Sequence, residues 1–289
     1  MSQNRPSAPR RAPRWVASRP PRPAADVRLF CFPYAGGGTS IFRSWASHLD
    51  ESVEVCPVLL PGREERFSEP PHTRVTELVP LLADRMASWF DKPFAFFGHS
   101  MGGEIAFALA EFLCAQGPGT ARPGHVFVSG CIPFPGPVQR HTLPDPELLA
   151  EVREMNGAPA EFLNSPELIE LMLPTLRADF TLAETALPDP AAVLPVPLTA
   201  FAGTDDPEAG PGQAKAWARH AGGPFEMHEL AGDHFFLHDP VPLLDIVGRV
   251  LSSGSGRYSS GADPQGPGPG GPRPGPGPDS YGPSAPDSR

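Results

Sequence analysis

The 289-residue chain has no apolar run approaching the roughly 18 residues that a membrane-crossing helix requires, so no spanning segment is expected. Its N-terminal region also lacks the apolar stretch of about 7 to 15 residues on which a secretory signal peptide is built. Cysteine is scarce. Cys31, Cys56, Cys114 and Cys131 are widely spaced, none belongs to a Cys-x-x-Cys pair, and three lie in or beside apolar strand-like runs. This argues against a zinc or disulfide framework and fits buried thiols in a reducing cytoplasm, the expected location. An excess of positive charge is missing too. The net charge is −10, and the most basic segment is the N-terminal one, so the remainder is more acidic still. General nucleic-acid binding is therefore not expected. No internal repeat is apparent.

The two ends differ from the middle. Residues 1–25 carry six arginines, six prolines and no acidic residue, and read as a solvated, disordered basic leader. Beyond Ser253, 19 of 36 residues are Gly or Pro without a collagen-like three-residue period, so 253–289 reads as a disordered tail. Neither segment can bury enough apolar surface to offset its ordering entropy. The folded domain is expected over 26–252.

Within it, strand-like and helix-like segments alternate, the pattern of a mostly parallel sheet covered by helices on both faces. Strands are expected at 27–32, 53–60, 93–97, 125–129, 197–202 and 225–230. Helices are expected at 40–49, 75–90, 101–115, 212–220 and 240–251, the last with Asp239 as N-cap and Pro240 in its first turn. One interval breaks the alternation. About 131–194, two strands are separated by far more chain than one helix and its loops need, and such insertions are usually functional. Helical patterns at 145–155 and 165–172 make it a small helical lid over the carboxyl ends of the strands, where α/β sheets bind ligands. Leu148, Met155, Phe162, Leu168, Met172 and Leu176 are candidates to line an apolar channel beneath it.

Gly98-His99-Ser100-Met101-Gly102 joins an apolar strand to a helical stretch. Small residues around a sharp strand-to-helix turn leave the serine hydroxyl exposed above the sheet, the arrangement of an α/β-hydrolase nucleophile. A serine hydroxyl is a weak nucleophile, so Ser100 needs a histidine base and a carboxylate that orients it, and in this fold the chain order is serine, acid, histidine. The acid is expected after a late strand, where Gly203-Thr-Asp205-Asp206 offers two carboxylates; the spacing from Gly203 favours Asp206, with Asp205 the alternative. The base is expected after the last strand, in Gly232-Asp-His234. His48, His72, His99, His125 and His141 precede the acid, His228 lies within a strand, and His220 and His238 sit at helix ends. An oxyanion hole needs two N–H donors: that of Met101, after the serine, and one from the glycine-rich loop after the first strand. The same glycines do not form a dinucleotide fingerprint, because the third would have to stand at Ile41.

Five ordered segments then resemble one family: Cys31-Phe-Pro-Tyr-Ala-Gly-Gly37, Leu60-Pro-Gly-Arg-Glu-Glu-Arg66, the serine turn, Leu176-Arg-Ala-Asp179 and Gly232-Asp-His-Phe-Phe236. From about Trp15 to Leu251 the chain looks like a type II thioesterase of polyketide and nonribosomal peptide biosynthesis. The resemblance implies an editing enzyme that hydrolyses aberrant or stalled acyl thioesters from the phosphopantetheine arms of carrier domains. It implies Ser100, Asp206 and His234 as the triad, the N–H groups of Ala35 and Met101 as oxyanion donors, no metal or bound cofactor, and action as a monomer. Against the family pattern, Ala186 stands where an aromatic residue is usual, Glu104 puts a charge early in the nucleophile's helix, and 207–211 lacks the usual polar cap. Arg63, Arg66, Arg74, Arg140 and Arg177 are candidates for a docking site for an acidic carrier domain. The alternatives are a carboxylesterase or chain-terminating fatty acyl-carrier thioesterase on the same fold, and an inactive hydrolase-fold scaffold docked on a synthase.

Overall fold

Successive residues of a strand point to opposite faces of its sheet, and in the central strands here both faces are buried. The computed structural model describes residues 14–17, 21–133, 139–157, 163–186 and 189–253. Strands β1 (Val27–Phe32), β2 (Val53–Pro57), β3 (Phe94–His99), β4 (His125–Ser129), β5 (Leu198–Gly203) and β6 (Phe225–Leu230) form one six-stranded sheet in the order β2-β1-β3-β4-β5-β6. Every pairing is parallel. Phe30, Phe96, Val126 and Leu198 face a core shared with helices α1 (Val75–Met86) and α2 (Met101–Ala115). On the other face Leu29, Phe97, Phe127 and Phe201 pack with Phe42, Trp45 and the C-terminal helix. Each such fully buried side chain is worth roughly 1.5 to 3 kcal/mol of transfer free energy.

Helices α3 (Asp145–Glu154) and α4 (Pro166–Thr185) form the lid between β4 and β5, α5 (Pro211–Ala214) follows β5, and α6 (Val241–Ser253) closes the domain. The lid expectation holds, but α4 runs well past 172. Its N-terminus is capped by Ser165, whose Oγ accepts from the Leu168 N–H at 3.3 Å. Pro174 removes a backbone donor inside it, yet Thr175, Leu176, Ala178, Asp179, Phe180 and Leu182 are buried beyond that point, and their packing outweighs the break. Leu168, expected in the channel, is 42% exposed. Phe162 lies outside the described residues.

The helix expected at 40–49 is instead two 3-10 turns, Thr39–Phe42 and Trp45–Ser47. Phe42 and Trp45, three residues apart, both turn inward onto Phe97, with ring centroids at 6.4 and 4.8 Å, a spacing suited to the tighter winding. The disordered leader also needs correction. Trp15 and Val16 are buried, Val16 pairs antiparallel with Val58, and the Leu59 N–H donates to the Trp15 carbonyl at 2.9 Å. The Arg22 guanidinium donates to the carbonyls of Leu49, Asp50 and Val53. An apolar pair and an arginine that donates to backbone carbonyls hold 14–17 and the chain around Arg22; residues 1–13 and 18–20 of the leader and the tail beyond Ser253 lie outside the described residues.

Strand order reverses between β1 and β3, and the crevice outside their carboxyl ends is where such sheets bind ligands. The loops leaving these strands, 33–38 and the turn at Ser100, face each other there. Close approach is possible only with glycine: a Cβ on Gly98 would overlap the Gly102 carbonyl, and one on Gly102 would overlap the Phe32 carbonyl. Gly102→Ala should therefore lower the unfolding free energy by about 3 kcal/mol, read as a lower urea midpoint at unchanged slope. Gly212→Ala, where an added methyl meets no neighbour, should stay within about 0.5 kcal/mol of wild type.

Candidate active site

Ser100 stands between the last residue of β3 and the first of α2 with φ 53° and ψ −124°, a conformation rare for a residue with a side chain. Backbone bonds hold it there. Its N–H donates to the Ser129 carbonyl at 2.7 Å, and its carbonyl accepts from the Gly103 N–H at 2.8 Å. The hydroxyl thus projects into a small chamber lined by Tyr34, Ala35, Leu176, Phe180, His234 and Phe235, among others.

The histidine and the acid arrive from the loops after β6 and β5. His234 Nε2 lies 3.1 Å from Ser100 Oγ, and its Nδ1 lies 2.9 Å from Asp206 Oδ2. A carboxylate only accepts, so Nδ1 carries the proton and the Nε2 lone pair faces the hydroxyl. Asp206 Oδ1 accepts from the N–H groups of Glu208 and Ala209 at 2.9 and 3.0 Å. Burial alone would raise this carboxyl, but the bond to His234 and the two backbone donors outweigh it and hold it below the ordinary carboxylate value. Asp205 is exposed, and of the two carboxylates it is Asp206 that the fold brings to His234. The line Ser100-His234-Asp206 can move a proton from Oγ to Nε2 while keeping the resulting imidazolium beside a carboxylate.

Chain order excluded His99 as a base, and its position shows a different use. It is fully buried, and burial followed by the proximity of His234 pushes its pKa well below the usual value, so the ring is neutral. Its Nε2 lies 2.9 Å from the His234 carbonyl, which can only accept, so Nε2 donates and Nδ1 accepts from the Ser129 hydroxyl at 2.9 Å. His99 thereby holds the backbone of the residue whose ring faces Ser100. Gly130, at φ 56°, leaves room for the His99 ring, which a Cβ there would strike.

Among the described residues, the backbone N–H groups of Ala35 and Met101 have no acceptor. The loop carrying Ala35 is held from the lid. The Gly36 N–H donates to Asp179 Oδ2 on α4 at 2.7 Å. Asp179 is paired in a two-point fashion with Arg63, Nη1 to Oδ2 at 2.9 Å and Nη2 to Oδ1 at 2.7 Å, and Arg63 Nη1 also donates to the Gly37 carbonyl at 2.9 Å. Both side chains are almost completely buried, at 4% and 2% exposure. The sequence offered Arg63 only as a docking candidate, and Asp179 only within a segment that carries the family resemblance.

Most of the arginines expected to form a docking patch are engaged within the chain. Arg66 lies 3.8 Å over the Trp15 ring and forks onto Glu69. Arg140 engages Glu151 and Glu208, and Arg177 engages Asp145. Only Arg74, with its side chain 72% exposed, points to solvent. The guanidinium groups are spent on internal carboxylates, so no basic patch forms from this set. Of the expected lid residues, Met155 and Leu176 line the chamber, and Leu148 packs behind with Leu176 and Phe180. Among the described residues, no group of three or more His, Cys, Asp or Glu is placed to hold a metal ion, and no helix is long and apolar enough to cross a membrane.

Removing one member of a buried ion pair strands the other, which costs about 3 to 5 kcal/mol. Asp179→Asn should lose that amount in urea unfolding, whereas Arg74→Ala, at an exposed position, should change stability by less than about 0.5 kcal/mol.

The profile of the Thioesterase domain family matches residues 27–250. The chain is 41% identical over 248 residues to linear gramicidin dehydrogenase LgrE of Brevibacillus parabrevis, covering 83% of this chain and 93% of that one. It is 40% identical over 228 residues to thioesterase PikA5 of Streptomyces venezuelae, covering 78% and 80%. Among solved structures it resembles the type II thioesterase BorB from the borrelidin biosynthetic cluster, with a TM-score of 0.74 at 34% identity, over 82% of this chain and 97% of that one. With its parallel sheet, helical lid and strand-to-helix serine, the chain belongs to the thioesterase family and is a hydrolase acting on thioesters.

Proposed function

We propose that the protein is a type II, editing thioesterase, which releases aberrant or stalled acyl groups from the phosphopantetheine thiol of polyketide or nonribosomal peptide carrier domains. The observation that carries this is the aligned Ser100-His234-Asp206 array beneath a helical lid, in a chain related to named thioesterases of such pathways. The word dehydrogenase in one relative's name has no counterpart in the loop after β1, where Ile41 occupies the position of a dinucleotide fingerprint's third glycine.

In the first half-reaction His234 Nε2 takes the proton of Ser100 Oγ as Oγ bonds to the thioester carbonyl carbon. The oxygen that becomes negative accepts from the unengaged N–H groups of Ala35 and Met101, each worth about 3 kcal/mol to the transition state. The C–S bond then breaks, the thiol leaves with the proton, and the acyl group remains as a serine ester. A thiolate is far less basic than an amine, so His234 is needed mainly to activate the serine and then water. In the second half-reaction water gives a proton to His234 and attacks the ester, which releases a carboxylic acid and restores Ser100. Asp206 holds the imidazole in the useful tautomer throughout. Neither metal nor bound cofactor enters this scheme. The chamber beside Ser100 is small, about 40 Å³, and Leu176 and Phe180 on α4 form part of the wall that an acyl group would meet.

Mass spectrometry of carrier domains loaded with short acyl groups tests the reading. The wild-type protein should return the free thiol form, and Ser100→Ala should slow this by about a thousandfold or more. Faster turnover of matched oxygen esters would indicate a carboxylesterase, and absence of hydrolysis by the wild type would indicate a scaffold; either result overturns the proposal.

A further inference from the structure

A second, larger cavity of about 730 Å³ lies between α1, α2 and α4, and none of its lining residues lines the chamber beside Ser100. Its walls combine the aromatic side chains of Phe107, Phe112 and Trp217 with the carboxyls of Glu104, Glu111 and Asp189. Arg74 is the one arginine or lysine among the described lining residues, and its guanidinium is exposed beside Glu77. Glu104 is the unusual member. Its Oε2 is sealed from solvent and, among the described residues, has no hydrogen-bond partner.

The groups around Glu104 do not supply one. Glu184 on α4 is engaged with His141 and with the backbone N–H groups of Arg140 and His141, so it adds negative potential. The Cys131 thiol, after β4, is buried and pushed upward by that burial and then by Glu104. Burial first and Glu184 second push the Glu104 carboxyl well above its usual value, and Glu111 is raised by burial and by Asp189. The cavity wall therefore holds a carboxyl whose Oε2 lacks a partner and whose charged form burial and Glu184 disfavour.

Chemistry narrows the occupant. An anion would meet carboxyls on the wall, and a plain hydrocarbon would leave Glu104 unsatisfied. An ammonium group supplies N–H donors to the carboxyl and is attracted by aromatic side chains, while an alkyl body fits the apolar walls at Val75, Val79 and Ala108. We propose that this cavity is a second ligand site, separate from the triad, for an apolar molecule bearing a protonated primary amine, with Glu104 as the acceptor. When the ammonium enters, Glu104 gives up its proton to solvent and the ligand keeps its own.

Calorimetric titration of the wild-type protein with hexylamine, hexanol and hexanoate at neutral pH tests this, and since none is a thioester the readout is independent of hydrolysis. Hexylamine should bind about tenfold more tightly than hexanol, with hexanoate weakest. Repeating the amine titration in buffers of different ionisation enthalpy should show release of about one proton. Glu104→Gln should bring hexylamine to the level of hexanol without weakening hexanol, and Ala108→Phe, which fills the cavity, should weaken all three. Equal binding of amine and alcohol, an amine preference that survives Glu104→Gln, binding indifferent to Ala108→Phe, or no binding of any probe would overturn the proposal. Proton release is read on the unaltered chain, so the test stands even if a variant fails to fold.

Discussion

The Asp179 carboxylate is the point on which the site depends, because it joins segments that the sequence places far apart. One of its oxygens accepts from the Gly36 N–H, and both engage Arg63, whose guanidinium in turn holds the Gly37 carbonyl. A buried ion pair adds little net stability compared with a well-packed apolar pair, since desolvation offsets the Coulombic gain. Its two-point geometry, however, admits essentially one orientation. The loop after β1, the loop carrying Arg63 and the lid helix α4 are therefore set relative to one another, and with them the direction of the Ala35 N–H. Thr175 reinforces the joint, its hydroxyl donating to the Gly62 carbonyl at 2.9 Å.

The opposite wall of the site is held by a different device. Ser100 keeps its strained backbone because bonds to Ser129 and Gly103 and the tight β3-α2 crossing leave no relaxed alternative. His99, next to it, reaches through the core to the His234 carbonyl. Neighbouring residues of one turn thus hold both ends of the Oγ to Nε2 contact: Ser100 presents the hydroxyl and His99 fixes the backbone of its partner. A neutral buried imidazole suits this task, since the nearby Asp206 carboxylate is already engaged by His234.

Strand periodicity made the sheet legible, and all six strands lie within a few residues of their expected positions. The convergence of Ser100, His234 and Asp206 was legible because it is built from local signals: glycines at a strand-to-helix turn, and loops after late strands. What escaped was tertiary in origin. Nothing local distinguishes Arg63 from Arg74, yet one is buried against Asp179 and the other is solvated. The continuation of α4 through Pro174 contradicts local propensity and follows from the buried residues beyond it. The order of Trp15 and Val16 is also invisible in a Pro- and Arg-rich run, because it requires the Arg66 guanidinium and the backbone around Val58 and Leu59 as a docking surface.

Two carboxyls show how far partner geometry, rather than burial, decides charge in this fold. Burial opposes ionisation of both Asp206 and Glu104. Asp206 has an imidazole on one oxygen and two backbone donors on the other, and remains ionised. Glu104, four residues beyond Ser100 on the same helix that begins at the active site, has the Glu184 carboxylate and the buried Cys131 thiol as neighbours, and burial and Glu184 push its carboxyl well above the usual value. The difference is directional. The loop after β5 turns its N–H groups inward onto Asp206, whereas among the described residues no donor reaches Glu104 Oε2, so the same carboxyl chemistry yields a fixed charge at one site and an unsatisfied acid at the other.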